Sequence, residues 1–184
     1  MSISAGFVED YAVVREAIAR ANAAGILIFA AAANWGNMNR VAYPAANDQV
    51  FCIFASGNLN KVSTVLYNPE PRPNTFNLAF LGNDVDVHRD GRRLSSGTST
   101  ATALLAGFVA RIIDFSRHRD STRAGVDPTL LRTRAGMRNL LVHISNKNGR
   151  FHCITPWNLV SSQQGSHSRD KIHEVIKRAL ERVD

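Results

Sequence analysis

Residues 26–32, Ile-Leu-Ile-Phe-Ala-Ala-Ala, form an unbroken apolar run of strand length directly behind a helical segment that stops at Gly25. A strand that is apolar on both faces must be covered on both, which is the condition of parallel sheets in α/β folds. Ahead of it, residues 9–24 carry Val13, Ala17, Ile18 and Ala21 at helical spacing, and residues 1–4 read as the end of a short strand. The chain therefore opens with a β-α-β unit. A loop at 34–46, marked by Gly36, three asparagines and Pro44, leads to a second buried strand at 50–55.

Pro69, Pro71 and Pro73 exclude regular structure from residues 61–74. Short strands are expected at 75–81 and 85–87, with a polar turn region at 90–96. From Thr98, the residues Ala101, Leu105, Phe108, Val109 and Ile112 recur at spacings of three and four, predicting a buried helix to about Ser116. Asp127-Pro128 pairs an N-cap with proline at the first helical position, opening a helix through Leu130, Leu131, Met137, Leu140 and Leu141. Residues 161–168 read as a polar linker. Residues 169–183 then predict a last helix with Ile172, Val175, Ile176 and Leu180 on one face. The expected division is one domain over residues 1–160, followed by the linker and terminal helix at 161–184.

Composition narrows the function classes. The 184 residues are 45% hydrophobic, enough for a core, and no apolar run reaches the roughly 18 residues that span a bilayer, so no membrane partner is expected. Residues 1–10 show no basic segment ahead of an apolar one, which leans the expectation towards an intracellular chain. The net charge of +7 lies in the second part, where Arg111, Arg117, Arg119, Arg123, Arg132, Arg134 and Arg138 are not interleaved with aromatics. A solvated basic surface is expected, and nucleic acid is not an expected partner, although a polyanion-binding module is a competing reading. Cys52 and Cys153 read as reduced core thiols. The six histidines are scattered, so neither a metal nor another cofactor is expected.

The residues with most chemical content are Ser96-Gly97-Thr98-Ser99-Thr100-Ala101-Thr102, where a glycine-containing turn feeds an apolar helix. A nucleophilic hydroxyl needs a fixed yet reachable position, and a helix N-terminus supplies unpaired N–H groups and a positive dipole end. By itself Ser99 also fits a helix-capping serine, and Asn34 a turn asparagine after a strand.

Gly97-Thr98-Ser99-Thr100-Ala101-Thr102 resembles the nucleophile motif of subtilisin-like serine proteases, Gly-Thr-Ser-Met-Ala-Thr-Pro. Ala30-Ala31-Ala32-Ala33-Asn34-Trp35-Gly36 is similar to the same family's Ala-Ala-Gly-Asn-x-Gly segment. Tyr43-Pro44-Ala45 and the strand at 50–55 follow in the family's order, and Ser99 stands 65 positions after Asn34 (99 − 34). The resemblance covers roughly residues 1–160. It implies a three-layer subtilisin-like α/β fold with a mostly parallel central sheet, lacking its N-terminal part. It also implies peptide-bond hydrolysis through an acyl-enzyme, with Ser99 as nucleophile and Asn34 as oxyanion donor beside the Ser99 N–H. Ser4, Ala5 and Gly6 would pair with an extended peptide or protein substrate, and Ala32 and Ala33 would line its binding site.

The resemblance is incomplete. In this family the aspartate and histidine partners precede the nucleophile, and no Asp-Thr/Ser-Gly or His-Gly-Thr segment occurs here. The histidine nearest Ser99 in sequence, His88, reads as a surface residue. A serine without a base is almost unreactive, so the chain alone is expected to be inactive, and a longer N-terminal segment or a second chain would have to supply the missing pair. Ala33 stands in place of the family's glycine, Thr100 in place of methionine, and Ala103 and Leu104 in place of proline and histidine. The alternative reading is an inactive remnant that binds peptides or partners through the same cleft.

Overall fold

The computed structural model describes residues 1–57, 67–87, 94–160 and 166–181. Its elements are β1 (Ser2–Ile3), α1 (Ala12–Ala23), β2 (Phe29–Ala31), β3 (Phe51–Ser56), β4 (Asn77–Leu81), β5 (Val85–Asp86), β6 (Leu94–Ser95), α2 (Thr98–Ser116), α3 (Arg119–Arg123), α4 (Pro128–Leu131), α5 (Arg134–His143), β7 (Ser145–Asn148), β8 (Phe151–Ile154) and α6 (Ser166–Leu180).

Six strands form one sheet in the order β1-β2-β3-β4-β8-β7, and only the β7–β8 pair is antiparallel. Side chains alternate across this sheet with period two, and the alternation creates two cores. Phe29, Phe51, Ile53, Leu78, Phe80 and Ile154 face α2, α5 and α6, where they join Leu105, Val109, Met137, Leu140 and Ile176. Ala30, Cys52, Phe54, Ala79 and Cys153 face the other way, with Ile18 of α1. The result is the expected three-layer α/β arrangement around a mostly parallel sheet. α6 packs on α5 and contributes Ile176, Ala179 and Leu180 to the same core as α2.

α2 is the one described helix whose length and mean hydropathy would let it cross a bilayer. Its Ala101, Leu105, Val109 and Ile112 are instead buried against the sheet, each large side chain contributing about 1.5–3 kcal/mol. Among the described residues no strand pairs with the outer edge of β1. Beside that edge lies a groove of about 380 Å³ lined by Met1, Leu27, Phe29, Ala106 and Val109 and also by the charged Asp114, Arg117 and Arg132.

Several local expectations are corrected. α1 begins at Ala12, and its buried stripe is Val14, Ile18 and Ala21, with Val13 71% exposed: only a narrow strip of this helix meets the sheet. Part of the expected polar turn at 90–96 is a strand, β6, which pairs with β5 as a separate antiparallel hairpin. The helix expected from Asp127 onward is two, because the Thr133 hydroxyl accepts the Gly136 N–H and starts a new helix at Arg134. α3 and the β7–β8 hairpin were not foreseen. α6 begins at Ser166, inside the stretch read as linker. His88 lies outside the described residues.

Candidate active site

The site is assembled where the C-terminal end of β2 meets the N-terminus of α2. β2 delivers Ala33 and Asn34, and Ala33 is held at φ 107°, a backbone region that L-residues rarely occupy. The Ala33 N–H donates to Thr98 Oγ1 at 3.3 Å. Asn34 Oδ1 accepts the Thr98 N–H at 2.9 Å and the Thr98 hydroxyl at 3.1 Å. One end of the Asn34 amide is therefore fixed by the first residue of α2, and the opposite end, Nδ2, is left as a donor. That NH₂ group lies beside Gly97, where an added Cβ would approach it to 3.0 Å.

Gly97, with φ 144°, is the N-cap of α2 and contributes no side-chain cap, so the first-turn N–H groups depend on partners from elsewhere. Thr98 N–H is taken by Asn34, while the Ser99 N–H is one of the donors a helix cannot satisfy from within its own first turn. Ser99 is half-buried. Its hydroxyl donates to the Ser4 carbonyl at 3.4 Å, and the Ser4 hydroxyl donates to the Ser99 carbonyl at 3.1 Å. Among the described residues no imidazole bonds to Ser99 Oγ.

A family-level comparison matches the Subtilase family over residues 1–158. The chain belongs to the subtilase family. Among solved structures it is similar to the prenylagaramide maturation protease PagA, with TM-score 0.60 and 19% identity, over 97% of this chain and 61% of PagA. The self-cleaved protease domain of PatA matches with TM-score 0.62 and 21% identity, over 94% of this chain and 61% of that one. The PatG macrocyclase in complex with peptide matches with TM-score 0.58 and 14% identity, over 96% and 50%. The subtilase chain thus spans about three fifths of the protease structures it matches, whose likeness shows the shared fold. Among curated proteins no sequence matches.

Of the residues singled out in this subtilase sequence, Ser99, Asn34, Ser4 and Ala33 come together. Ser4, Ala5 and Gly6 are exposed along the segment that leaves β1. Gly6 passes so close to the 42–43 segment that a Cβ would sit 2.7 Å from Ala42 Cβ, and Phe7 and Tyr43 exchange backbone hydrogen bonds next to it. Ala32 is different: it is fully buried, its N–H donates to Ile53 O and its carbonyl accepts the Ala42 N–H. It supports Ala33 from beneath and has no free backbone group to offer.

Three further residues hold the site, and sequence reading missed them. Gly82, at the end of β4, lies where a Cβ would meet the Gly97 carbonyl at 2.8 Å and Ala101 Cβ at 2.7 Å; its carbonyl accepts the Gly97 N–H at 2.6 Å. The Tyr67 hydroxyl donates to that same carbonyl at 3.0 Å, while the Tyr67 carbonyl accepts the Gly36 N–H at 2.8 Å. Tyr67 thereby ties the Asn34 loop to the start of α2. Burial, with Asp84 adding to it, pushes the Tyr67 phenol up, and the Gly97 backbone partly opposes the rise, so it stays a donor at neutral pH. Asn68 bonds both backbone groups of Ala55 in β3, at 3.0 and 2.7 Å. A Tyr-Asn pair just before the proline-rich stretch was the only available signal.

Proposed function

We propose that this chain carries the nucleophile and oxyanion-stabilising part of a subtilase peptidase site. In this reading Ser99 attacks the scissile carbonyl, and the Asn34 amide and the Ser99 N–H receive the developing oxyanion. The observation that carries it is the orientation of Asn34. With Oδ1 tied at 2.9 and 3.1 Å to Thr98, only Nδ2 can face a substrate beside Ser99. Ser4, Ala5 and Gly6 form the exposed backbone on which an extended peptide would pair, and Ala33 adds a methyl at the wall of the cleft.

A general base and its aspartate are contributed, in this proposal, by polypeptide other than residues 1–184, as an upstream segment or a second chain. The edge of β1, unpaired among the described residues, and the largely apolar groove next to it support this, since an uncovered edge and exposed apolar side chains call for further structure. The substrate is a peptide or protein; PatG is known as a complex with a peptide.

The test is labelling by a fluorophosphonate probe. With the complementing polypeptide present, Ser99 is modified and Ser99→Ala is not, and Asn34→Ala slows the reaction about 10²–10³-fold, a figure that comes from subtilisin itself. Absence of labelling in the completed protein would overturn the peptidase reading. A second reading is favoured by the Ser99 hydroxyl resting on the Ser4 carbonyl: a peptide-binding module without catalysis. Peptide binding that is unaffected by Ser99→Ala, with no labelling, would establish it instead.

A further inference from the structure

The opposite rim of the sheet carries a separate group of cations. Arg134, the first residue of α5, lies with its Cζ 5.5 Å from the Phe51 ring centroid, and Arg138 lies 5.3 Å from that of Phe76. The Nε atoms of both are buried and have no hydrogen-bond partner. Burial first, then Arg138, and also Arg72, lower the Arg134 guanidinium below its ordinary range, with Asp48 as the opposing charge among the described residues. Asp48 is already engaged by Arg72 at 2.6 Å, and its side chain is 86% exposed. Among the described residues three guanidiniums thus face one carboxylate.

The placement is electrostatically costly from several sides. Two like charges four residues apart repel on a helix face. The first turn of α5 holds no acidic residue, so Arg134, at its first position, meets the positive end of the helix dipole without a compensating charge. Stacking on an aromatic ring covers a guanidinium's face and leaves its edge of N–H donors outward, the geometry that takes a carboxylate by two parallel hydrogen bonds. Phe76, 47% exposed, adds an apolar surface alongside.

We propose that Arg72, Arg134 and Arg138, with the rings of Phe51 and Phe76 behind them, form a docking site for a short acidic peptide segment. A nucleic acid suits the surface less well. Asp48 stands within the cluster and the Glu70–Arg150 pair lies close to Arg72 along a neighbouring hollow, while Arg111 and Arg169 are paired with Asp114 and Asp120 elsewhere. Among the described residues the cations here, Arg40 of the same hollow included, are thus interspersed with the carboxylates of Asp48 and Glu70, which disfavours a phosphate backbone. Phe51 opens β3 and Asn34 follows the end of its parallel neighbour β2, so the docking site lies roughly 20 Å from the Ser99 cleft. It does not rest on the peptidase reading.

The experiment is fluorescence anisotropy of a labelled hexaglutamate peptide on the whole 184-residue chain at low salt, with inorganic phosphate and oligothymidylate as competitors. Hexaglutamate is expected to bind, more weakly as salt rises. Arg138→Gln should weaken it about tenfold, and Arg134→Lys, which keeps the charge but loses the planar fork, about threefold or more. Asp48→Asn, which frees Arg72, should tighten binding about threefold, a change that a folding defect cannot mimic. Circular dichroism of each variant verifies the fold. The proposal is overturned if hexaglutamate does not bind, if Asp48→Asn and Arg138→Gln leave affinity unchanged, or if phosphate or oligothymidylate outcompetes it at the same arginines. Labelling of Ser99 should be indifferent to Arg138→Gln, so either reading can fail alone.

Discussion

Ala33→Gly should stabilise the protein. Ala33 is held at φ 107°, between buried Ala32 and the bonded Asn34, and a non-glycine residue in such a region costs about 1–3 kcal/mol. Glycine removes that strain but loosens the unfolded chain, returning about 0.4–1 kcal/mol of the gain. The net expectation is about 1 kcal/mol in favour of Ala33→Gly, which in a chain of this size raises Tm by about 2–4 °C. The N–H bond to Thr98 Oγ1 is retained in both forms. Ala32→Gly is the internal control: Ala32 is fully buried and not at positive φ. It loses a buried methyl worth about 0.8 kcal/mol together with the same entropy term, so it should destabilise by about 1–2 kcal/mol. Urea unfolding followed at 222 nm, at constant m, separates the two by about 2–3 kcal/mol. If both glycines destabilise equally, the strain argument for Ala33 is wrong.

Gly82→Ala should destabilise by about 2 kcal/mol or more and disturb the start of α2, because the new methyl would meet the Gly97 carbonyl at 2.8 Å; the urea midpoint measures it. Burial pushes the Cys52 thiol up to about 12, Arg72 partly opposing, and the Cys153 thiol up to about 11. The unfolded chain releases these protons first, so stability is intact below about pH 9 and falls above it by up to about 1.4 kcal/mol per pH unit per thiol, as far as about pH 11 for Cys153 and about pH 12 for Cys52; a Cys52→Ala, Cys153→Ala double variant should flatten that slope. Burial, and then Lys147, hold the His152 imidazole below its usual range, so the unfolded state takes up the proton first as pH falls and stability declines on the acid side of the ordinary histidine range. His152→Gln should reduce that decline in urea titrations between about pH 7 and 5.

The parts of this fold that were legible are those where burial on both faces dictates composition. Residues 26–32 and 50–55 are apolar throughout because β2 and β3 lie inside the sheet, and α2 was legible to its last residue because one face repeats Ala101, Leu105, Val109 and Ile112. β7 failed the same test: Ser-Asn-Lys-Asn at a solvent-facing edge has no apolar signature, and only Asn148-Gly149 marked the turn to β8. The split between α4 and α5 was hidden because Leu130, Leu131 and Met137 stay in helical phase across a break made by the Thr133 hydroxyl. Within the candidate site, Ser99 and Asn34 stood out through neighbouring residue types. Tyr67 and Gly82 owe their positions to contacts with residues 15 or more places away, and local pattern cannot report those.

The way the chain holds Asn34 bears on how a peptidase site can be divided. Among the described residues, the contacts that fix Asn34 relative to Ser99, the nucleophile of the proposed reading, lie between Ser4 and Thr102: the Thr98 bonds to Asn34, the Tyr67 bridge, the close pass of Gly82, and the Ser4–Ser99 exchange. Oxyanion stabilisation depends on donors that are already oriented before charge develops, and it tolerates little play. A general base tolerates more, since its hydrogen bond to the nucleophile often tightens only when substrate is bound. A division that keeps Ser99 with Asn34 and leaves the base to other polypeptide therefore separates the site along its most forgiving contact. In such an arrangement the Ser4 carbonyl is the resting acceptor for the Ser99 hydroxyl, and the arriving imidazole has only to displace one bond of 3.4 Å.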